Sequence, residues 1–94
     1  MKKFYICPVC GYDKIVNPIY DSNGQGTYEI CPCCGFEFGS DDFPDKEQAF
    51  KNWRTHWIEK NYLWFSNYTK KPENWEPQKQ LDNITKIEPN NMVR

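Results

Sequence analysis

Aliphatic side chains are scarce in this sequence, which has two Leu, three Val and seven Ile among 94 residues. This scarcity excludes a core packed mainly from aliphatic groups, so the sixteen aromatic residues must fill much of the interior. A chain of this size buries a modest fraction of its surface and often needs a staple such as a metal ion. We therefore expect residues 1–94 to form a single domain with one aromatic-rich core.

Long hydrophobic runs are also missing from the chain. No segment approaches the length of a membrane-spanning helix, and the apolar residues after Lys3 end at Pro8, too soon for a signal peptide. The cysteine count is five, and an odd number argues against the fully paired disulfides of a small secreted domain. These features predict a cytoplasmic protein with reduced cysteines and no membrane contact.

Neither sign of charge dominates, because 12 Lys and Arg stand against 13 Asp and Glu and the formal net charge is −1. Outside the N-terminus the densest basic cluster is Lys70-Lys71, which is sparse for a surface that binds phosphates. A nucleic-acid partner is therefore not expected. The alternative is that aromatic rings stack on single-stranded bases beside Lys14, Lys70, Lys71 and Lys79.

The strongest motif is a pentapeptide of the form C-P-x-C-G, which occurs at residues 7–11 and again at residues 31–35. Two residues between cysteines let a tight turn direct both sulfurs at one ion, and the glycine relieves the backbone there. Two such loops supply four thiolates, which suits zinc in a closed tetrahedral shell, with iron as the alternative metal. A closed shell leaves no position for a substrate, so we predict a structural zinc held by Cys7, Cys10, Cys31 and Cys34.

Two further residues carry reactive groups outside this set. Cys33 occupies the free position of the second loop, where a small buried side chain is the simpler interpretation and a redox-sensing thiol is the alternative. We expect His56, the only histidine, to be hydrogen-bonded or solvent-facing; its alternative role is that of a fourth ligand in place of one cysteine. The sequence has no defensible pairing of this histidine with a nucleophile or of two carboxylates, so we predict no catalytic residues and no enzyme.

Residues 1–39 contain all the cysteines and all the glycines. Short strands are predicted at residues 3–6 and 27–30, and the Asn- and Gly-containing turn at 21–26 joins them into a hairpin. Alternating apolar and charged residues at 36–38 predict a third short strand with both Phe rings on one face. The first part of the chain is thus expected to be a hairpin that brings the two cysteine loops together.

Residues 40–94 contain all four tryptophans and open with an acidic segment that suits the start of a helix. We predict a helix from about Asp45 to Lys60, capped by Asp42 and stopped by Asn61. At helical spacing, four apolar side chains of this segment form one buried stripe: Ala49, Phe50, Trp53 and Trp57.

The remainder of the chain is predicted to be irregular and to wrap the domain, with Trp75 as its anchor. Pro77 is expected to open a last helical turn or two, in which Leu81 and Ile84 face inward. Residues 85–94 have little to bury.

The stretch 28–39, followed by Asp41-Asp42, resembles the bacterial cysteine-rich CPCC family of small uncharacterised proteins, and the similarity continues through 64–65 and 72–75 to Ile84. The resemblance implies no particular activity. It implies a zinc-ribbon-like domain from a bacterium, with matching ligands at Cys7, Cys10, Cys31 and Cys34.

Residues 7–12 also resemble the first knuckle of rubredoxins, whose four-cysteine site carries iron and moves electrons. The predicted fold is accordingly a small α+β protein. Its zinc-ribbon half (residues 1–39), a β-hairpin region with rubredoxin-like knuckles, packs with a helical, Trp-rich half (residues 40–94). The second half consists of one amphipathic α-helix and an irregular C-terminal segment.

The function depends on where the aromatic side chains outside the helix stripe are placed. Covering the other face of a thin core is one interpretation. The other is an exposed patch that binds a protein, since Trp and Tyr dominate interface hot spots. We predict a zinc-stabilised protein-binding or adaptor module, and the alternatives are a single-stranded nucleic-acid-binding zinc ribbon and a rubredoxin-like electron carrier. The five side chains in question are Tyr62, Trp64, Phe65, Tyr68 and Trp75.

Overall fold

The computed structural model describes residues 3–87, so the prediction for the end of the polar tail lies outside the described residues. Within this range the helices are α1 (Lys46–Glu59), α2 (Pro77–Gln80) and a 3-10 helix (Leu81–Lys86) that follows α2 directly. Over the same range, no helix combines the length and the apolar character needed to cross a bilayer. The fold has few helices and little strand, in keeping with a small α+β protein.

Strand pairing between residues 3 and 87 is limited to three isolated antiparallel bridges, Tyr5 with Ile15, Tyr20 with Gly26, and Ile30 with Glu37. The predicted pairing of residues 3–6 with residues 27–30 is therefore wrong. Each cysteine loop reverses the chain so tightly that the residues before it pair with the residues after it. The turn at 21–26 forms as predicted, but it closes the separate bridge made by Tyr20.

The third predicted strand contributes only Glu37 to a bridge, yet Phe36 and Phe38 on either side of it are both fully buried. This burial confirms that the two rings share one face. The Phe36 ring centroid lies 5.0 Å from that of Phe38 and 5.4 Å from those of Phe50 and Trp53. These aromatic contacts join the cysteine-rich part of the chain to α1.

Helix α1 begins one residue later than predicted and is capped by Asp45, whose side chain accepts a hydrogen bond from the Gln48 backbone N–H at 3.3 Å. The predicted cap, Asp42, is wrong because its carboxylate is buried and bonded to a tyrosine hydroxyl instead. Asn61 adopts a φ of +61° just after the helix, as a left-handed stop requires. The predicted stripe is confirmed, with Phe50 and Trp57 buried and Ala49 and Trp53 packed against the core.

A second group of aromatic rings lies where α1 meets the irregular segment after it. The Trp57 ring centroid lies 5.1 Å from that of Tyr62 and 6.2 Å from that of Trp75, and Trp75 lies 5.4 Å from Trp64. Three of the five unassigned aromatic residues therefore complete the core. The remaining two are exposed, namely Phe65 and Tyr68.

The C-terminal segment docks on the cysteine-rich part of the chain. Pro77 opens α2, as predicted, and Leu81 packs against the core while Ile84 is half-buried. The Trp75 indole N–H donates to the Gln80 side-chain oxygen at 2.7 Å, which ties the predicted anchor to the short helix.

Candidate metal centre

The two C-P-x-C-G loops fold into matching turns, which we call the first knuckle (residues 7–11) and the second knuckle (residues 31–35). In the first, the Gly11 backbone N–H donates to the Cys7 carbonyl at 2.9 Å; in the second, Gly35 donates to Cys31 at 2.8 Å. The two glycines have φ angles of +86° and +83°, which side chains other than hydrogen rarely permit. The repeated pentapeptide therefore encodes one local geometry twice.

Both glycines are also sites where another part of the chain approaches the knuckle closely. A Cβ atom at Gly11 would overlap the backbone carbonyl of Gln80. A Cβ atom at Gly35 would lie 2.6 Å from the ring of Phe65, nearer than real contacts allow. Each knuckle is therefore covered by a different segment of the second half of the chain.

The structure brings the four cysteines of the predicted ligand set together. Their sulfur atoms all lie within 4.8 Å of one another, with 3.8 Å between Cys7 and Cys34 and 3.7 Å between Cys10 and Cys31. Four sulfurs placed about 2.3 Å from one ion at the corners of a tetrahedron are separated by about 3.8 Å. The donor set and its spacing therefore suit a tetrahedral thiolate site. All four residues are buried.

The electrostatics of the cluster are those of a site that a bound cation would stabilise. Burial raises the pKa of the Cys10 and Cys34 thiols well above the ordinary range, and neighbouring sulfurs add to the effect at Cys10. Burial also opposes ionisation of Cys7, but hydrogen bonds from the surrounding thiols hold the pKa of this residue well below its usual value. The Val9 backbone N–H, 3.4 Å from the Cys7 sulfur, favours the same thiolate. A divalent ion would let the Cys10 and Cys34 thiols ionise as well.

Neither of the two remaining candidates belongs to this cluster. Cys33 is fully buried, and its sulfur lies 3.3 Å from the side-chain nitrogen of Gln80. His56 is exposed on α1 and lies 3.6 Å from the Glu59 carboxylate. The solvent-facing interpretation of His56 is confirmed, and its alternative role as a fourth ligand is wrong.

Side chains of α1 support the backbone of both knuckles. The Arg54 guanidinium donates to the carbonyls of Val9 at 2.7 Å and Pro8 at 2.8 Å, so it holds the first knuckle with two parallel bonds. The Trp53 indole N–H donates to the Cys34 carbonyl at 2.9 Å in the second knuckle. These contacts fix the orientation of the loops that carry the sulfurs.

The C-terminal segment supplies a second set of polar contacts, chiefly to the first knuckle, besides the Gln80 contact with the Cys33 sulfur of the second knuckle. The Gln80 side chain donates to the Cys10 carbonyl at 3.0 Å, and the Asn83 side chain donates to the Gly11 carbonyl at 3.0 Å. Sequence reasoning missed these residues, and it missed Arg54. No local pattern marks Gln80 or Asn83, whereas the position of Arg54, four residues after the buried Phe50, is a weak signal that it faces inward.

Comparison with known proteins gives relatives but no activity. No protein-family model matches the chain, and no solved structure matches it. The chain is 43% identical over 72 residues to an uncharacterised protein, YoaQ, of Bacillus subtilis (strain 168), covering 63% of this chain and 61% of that protein. It is 40% identical over 73 residues to a second uncharacterised protein of that strain, YozI, covering 63% and 60%. The chain thus spans about three fifths of the length of these relatives.

Proposed function

We propose that Cys7, Cys10, Cys31 and Cys34 hold one zinc ion and that this ion stabilises a small bacterial protein-binding module. The observation that carries the proposal is the spacing of four buried sulfurs at tetrahedral distances. Thiolate zinc binding contributes about 10 kcal/mol or more, against a net domain stability of about 5–15 kcal/mol. Metal and fold would therefore depend on each other.

A structural role follows from the chemistry of the shell. Four thiolates complete the tetrahedral coordination of zinc and leave no position for water or a substrate. The sulfurs are also buried among the core side chains, so exchange of a ligand would require the core to open. We therefore assign the centre no catalytic step.

The two matched knuckles also support placing the chain in the cysteine-rich CPCC family, as a zinc-ribbon-like protein. Each knuckle repeats the same glycine conformation and the same hydrogen bond across its loop. Each loop also pairs its own flanking residues, Tyr5 with Ile15 and Ile30 with Glu37. The metal rather than a long sheet would then hold the two knuckles together.

Apolar side chains that stay outside the core support the binding role. Leu63, Phe65 and Tyr68 are 63%, 56% and 99% exposed and lie close together in sequence. This segment is fastened to the second knuckle, because the Phe65 backbone N–H donates to the Cys33 carbonyl at 3.0 Å. A metal that orders the knuckle would also order this surface. We therefore propose it as the contact surface for a protein partner.

The alternative of nucleic-acid binding has less support. Lys14 lies over the Phe4 ring at 5.5 Å and Lys71 over the Trp75 ring at 5.7 Å, while Lys79 pairs with a carboxylate. Three of the four lysines expected to gather around exposed rings are thus engaged with separate partners, and one of those rings, Trp75, packs against the core. We keep the protein-binding proposal.

Elemental analysis of natively purified protein tests the metal assignment, with circular dichroism recorded on the same samples. We expect one zinc per chain, lost together with helical signal in Cys10→Ser. The matched control is Cys33→Ser, which removes a buried thiol outside the cluster and should keep the metal. Absence of metal, or equal loss in both variants, would contradict the ligand set. Iron with a reversible redox couple would instead favour an electron carrier.

A further inference from the structure

A cleft of about 490 Å³ lies away from the cysteine cluster, between the turn at 24–28 and the segment that leads into α1. Its volume is in the range of pockets that hold small organic molecules. Three glycines in its wall leave room for a ligand to approach the backbone. The aromatic and charged lining residues are Tyr20, Tyr28, Asp42, Phe43 and Lys46.

The carboxylate of Asp42 is the buried polar group in this wall. Its Oδ2 atom accepts hydrogen bonds from the Tyr20 hydroxyl at 2.7 Å and from the Gly39 backbone N–H at 3.0 Å. Its Oδ1 atom is shielded from solvent and has no donor among the described residues. Asp42 is only 7% exposed, and a buried carboxylate oxygen without a donor is unfavourable. A positively charged donor from outside would remove that penalty.

The rings around the cleft have faces suited to a cation. Lys46 already places its ammonium group 4.2 Å from the Tyr20 ring centroid. Burial and the hydrogen bond to Asp42 raise the pKa of Tyr20, so its hydroxyl keeps the proton that it donates. Tyr28 and Phe43 are largely exposed although both are aromatic. Lys46 makes no ion pair with a carboxylate within residues 3–87, so it does not bridge to Asp42 directly.

We propose that this cleft binds a small organic ammonium compound, with the ammonium directed to Asp42 and an apolar body lying between Tyr28 and Phe43. The unpartnered carboxylate oxygen selects the charge, and the exposed rings supply cation–π and apolar contact. Asp42 lines the cleft, and in this scheme its side chain turns so that Oδ1 receives the bound ammonium. In this scheme Lys46 is a competing cation at the rim.

Titration of the 15N-labelled, metal-loaded protein with 2-phenylethylammonium chloride tests the proposal. The neutral 2-phenylethanol and the anionic 3-phenylpropionate are matched probes with the same ring. We expect saturable shifts of the backbone resonances of Tyr28, Asp42 and Lys46 with the ammonium only. Equal shifts with the alcohol would contradict the proposal, because they would show that the cleft binds the ring and does not select the charge. Shifts with the carboxylate alone, or none with any probe at millimolar concentration, would overturn the proposal.

Variants sharpen the test of charge. Asp42→Asn keeps an oxygen for the Tyr20 hydroxyl and should weaken ammonium binding about tenfold or more. The control is Glu47→Gln, which makes the same charge change in a residue that does not line the cleft and should change affinity much less. Lys46→Met should strengthen ammonium binding, because it removes the competing cation. Weaker binding in Lys46→Met would contradict the proposal even where Asp42→Asn fails to fold.

Discussion

The two knuckles have the same pentapeptide and the same turn, but they are covered in different ways. Polar side chains from α1 and the C-terminal segment hold the first knuckle, chiefly Arg54, Gln80 and Asn83. The second knuckle is covered by the Phe65 ring, by the Trp53 indole and by backbone bonds from the segment after α1. The repeat therefore fixes the geometry of each loop, whereas the rest of the chain decides how each loop is supported.

This difference has a consequence for stability. A knuckle held by hydrogen bonds depends on directional contacts that leave buried carbonyls unsatisfied when one partner is removed. The Phe65 ring that lies against Gly35 in the second knuckle makes a packing contact, which can adjust when the ring moves. We expect the first knuckle to be the less tolerant of substitution.

The largest expected effect is one that the two knuckles share, namely the pH dependence of metal binding. The pKa values of Cys10 and Cys34 are raised in the metal-free cluster, so both thiols are protonated near neutral pH and must lose protons to bind zinc. Zinc affinity should therefore rise with pH, by about a hundredfold or more per pH unit for two protons. Competition with a chromophoric chelator at pH 6.5 and pH 7.5 measures this slope.

The lowered pKa of Cys7 refines this expectation, because a thiol that is already ionised releases no proton on binding. Calorimetry in buffers of different ionisation enthalpy should show fewer than four protons released per zinc ion. A slope near zero would mean that the sulfurs are not the ligands. Release of four protons would contradict the lowered pKa of Cys7.

The next effect separates the two knuckles directly. Gly11→Ala should lower the free energy of unfolding by about 3 kcal/mol or more, since positive φ costs about 1–3 kcal/mol and the new Cβ also meets the rigid carbonyl of Gln80. Gly35→Ala carries the same backbone penalty but meets only the side chain of Phe65, so the loss should be smaller, about 2 kcal/mol. Urea denaturation of the metal-loaded variants provides both values.

A double variant is the control for this pair. Adding Phe65→Ala to Gly35→Ala removes the overlapping ring, and part of the lost stability should return relative to the sum of the single variants. No comparable rescue is available at Gly11, where the obstacle is backbone. Equal losses at the two glycines would show that the covering segments do not distinguish the knuckles.

The features that were predicted correctly from the sequence are those that neighbouring residues determine. The knuckle glycines, the α1 stripe, the stop at Asn61 and the start of α2 at Pro77 each depend on neighbours within a few positions. The predicted hairpin was wrong because each cysteine loop pairs its own flanking residues, whereas the predicted cap was wrong because a tertiary contact engages its carboxylate. Asp42 lies near the start of α1, but the hydroxyl of Tyr20, 22 positions earlier, engages its carboxylate.

The residues that support the candidate metal centre lay beyond sequence reasoning because their contacts are also tertiary. The Arg54 contacts span 45 and 46 positions, and the Asn83 contact spans 72. Side chains of this type are common on surfaces, and neither composition nor periodicity shows which of them turn inward. The cysteines were predictable because two residues between a pair of cysteines are the spacing that lets one turn direct both sulfurs at one ion.

The smallest expected effect comes from removing one side chain, Gln80, that donates a hydrogen bond to the first knuckle. Gln80 joins Trp75, the Cys10 carbonyl and the Cys33 sulfur, so Gln80→Ala should lower the free energy of unfolding by about 1 kcal/mol and hasten zinc loss to a chelator. The matched control is Gln78→Ala, an exposed residue whose one contact, to a tyrosine hydroxyl, is 3.4 Å long. Its effect should stay within about 0.5 kcal/mol. If the two glutamine variants behaved alike, the polar cover would contribute little and the metal alone would hold the first knuckle.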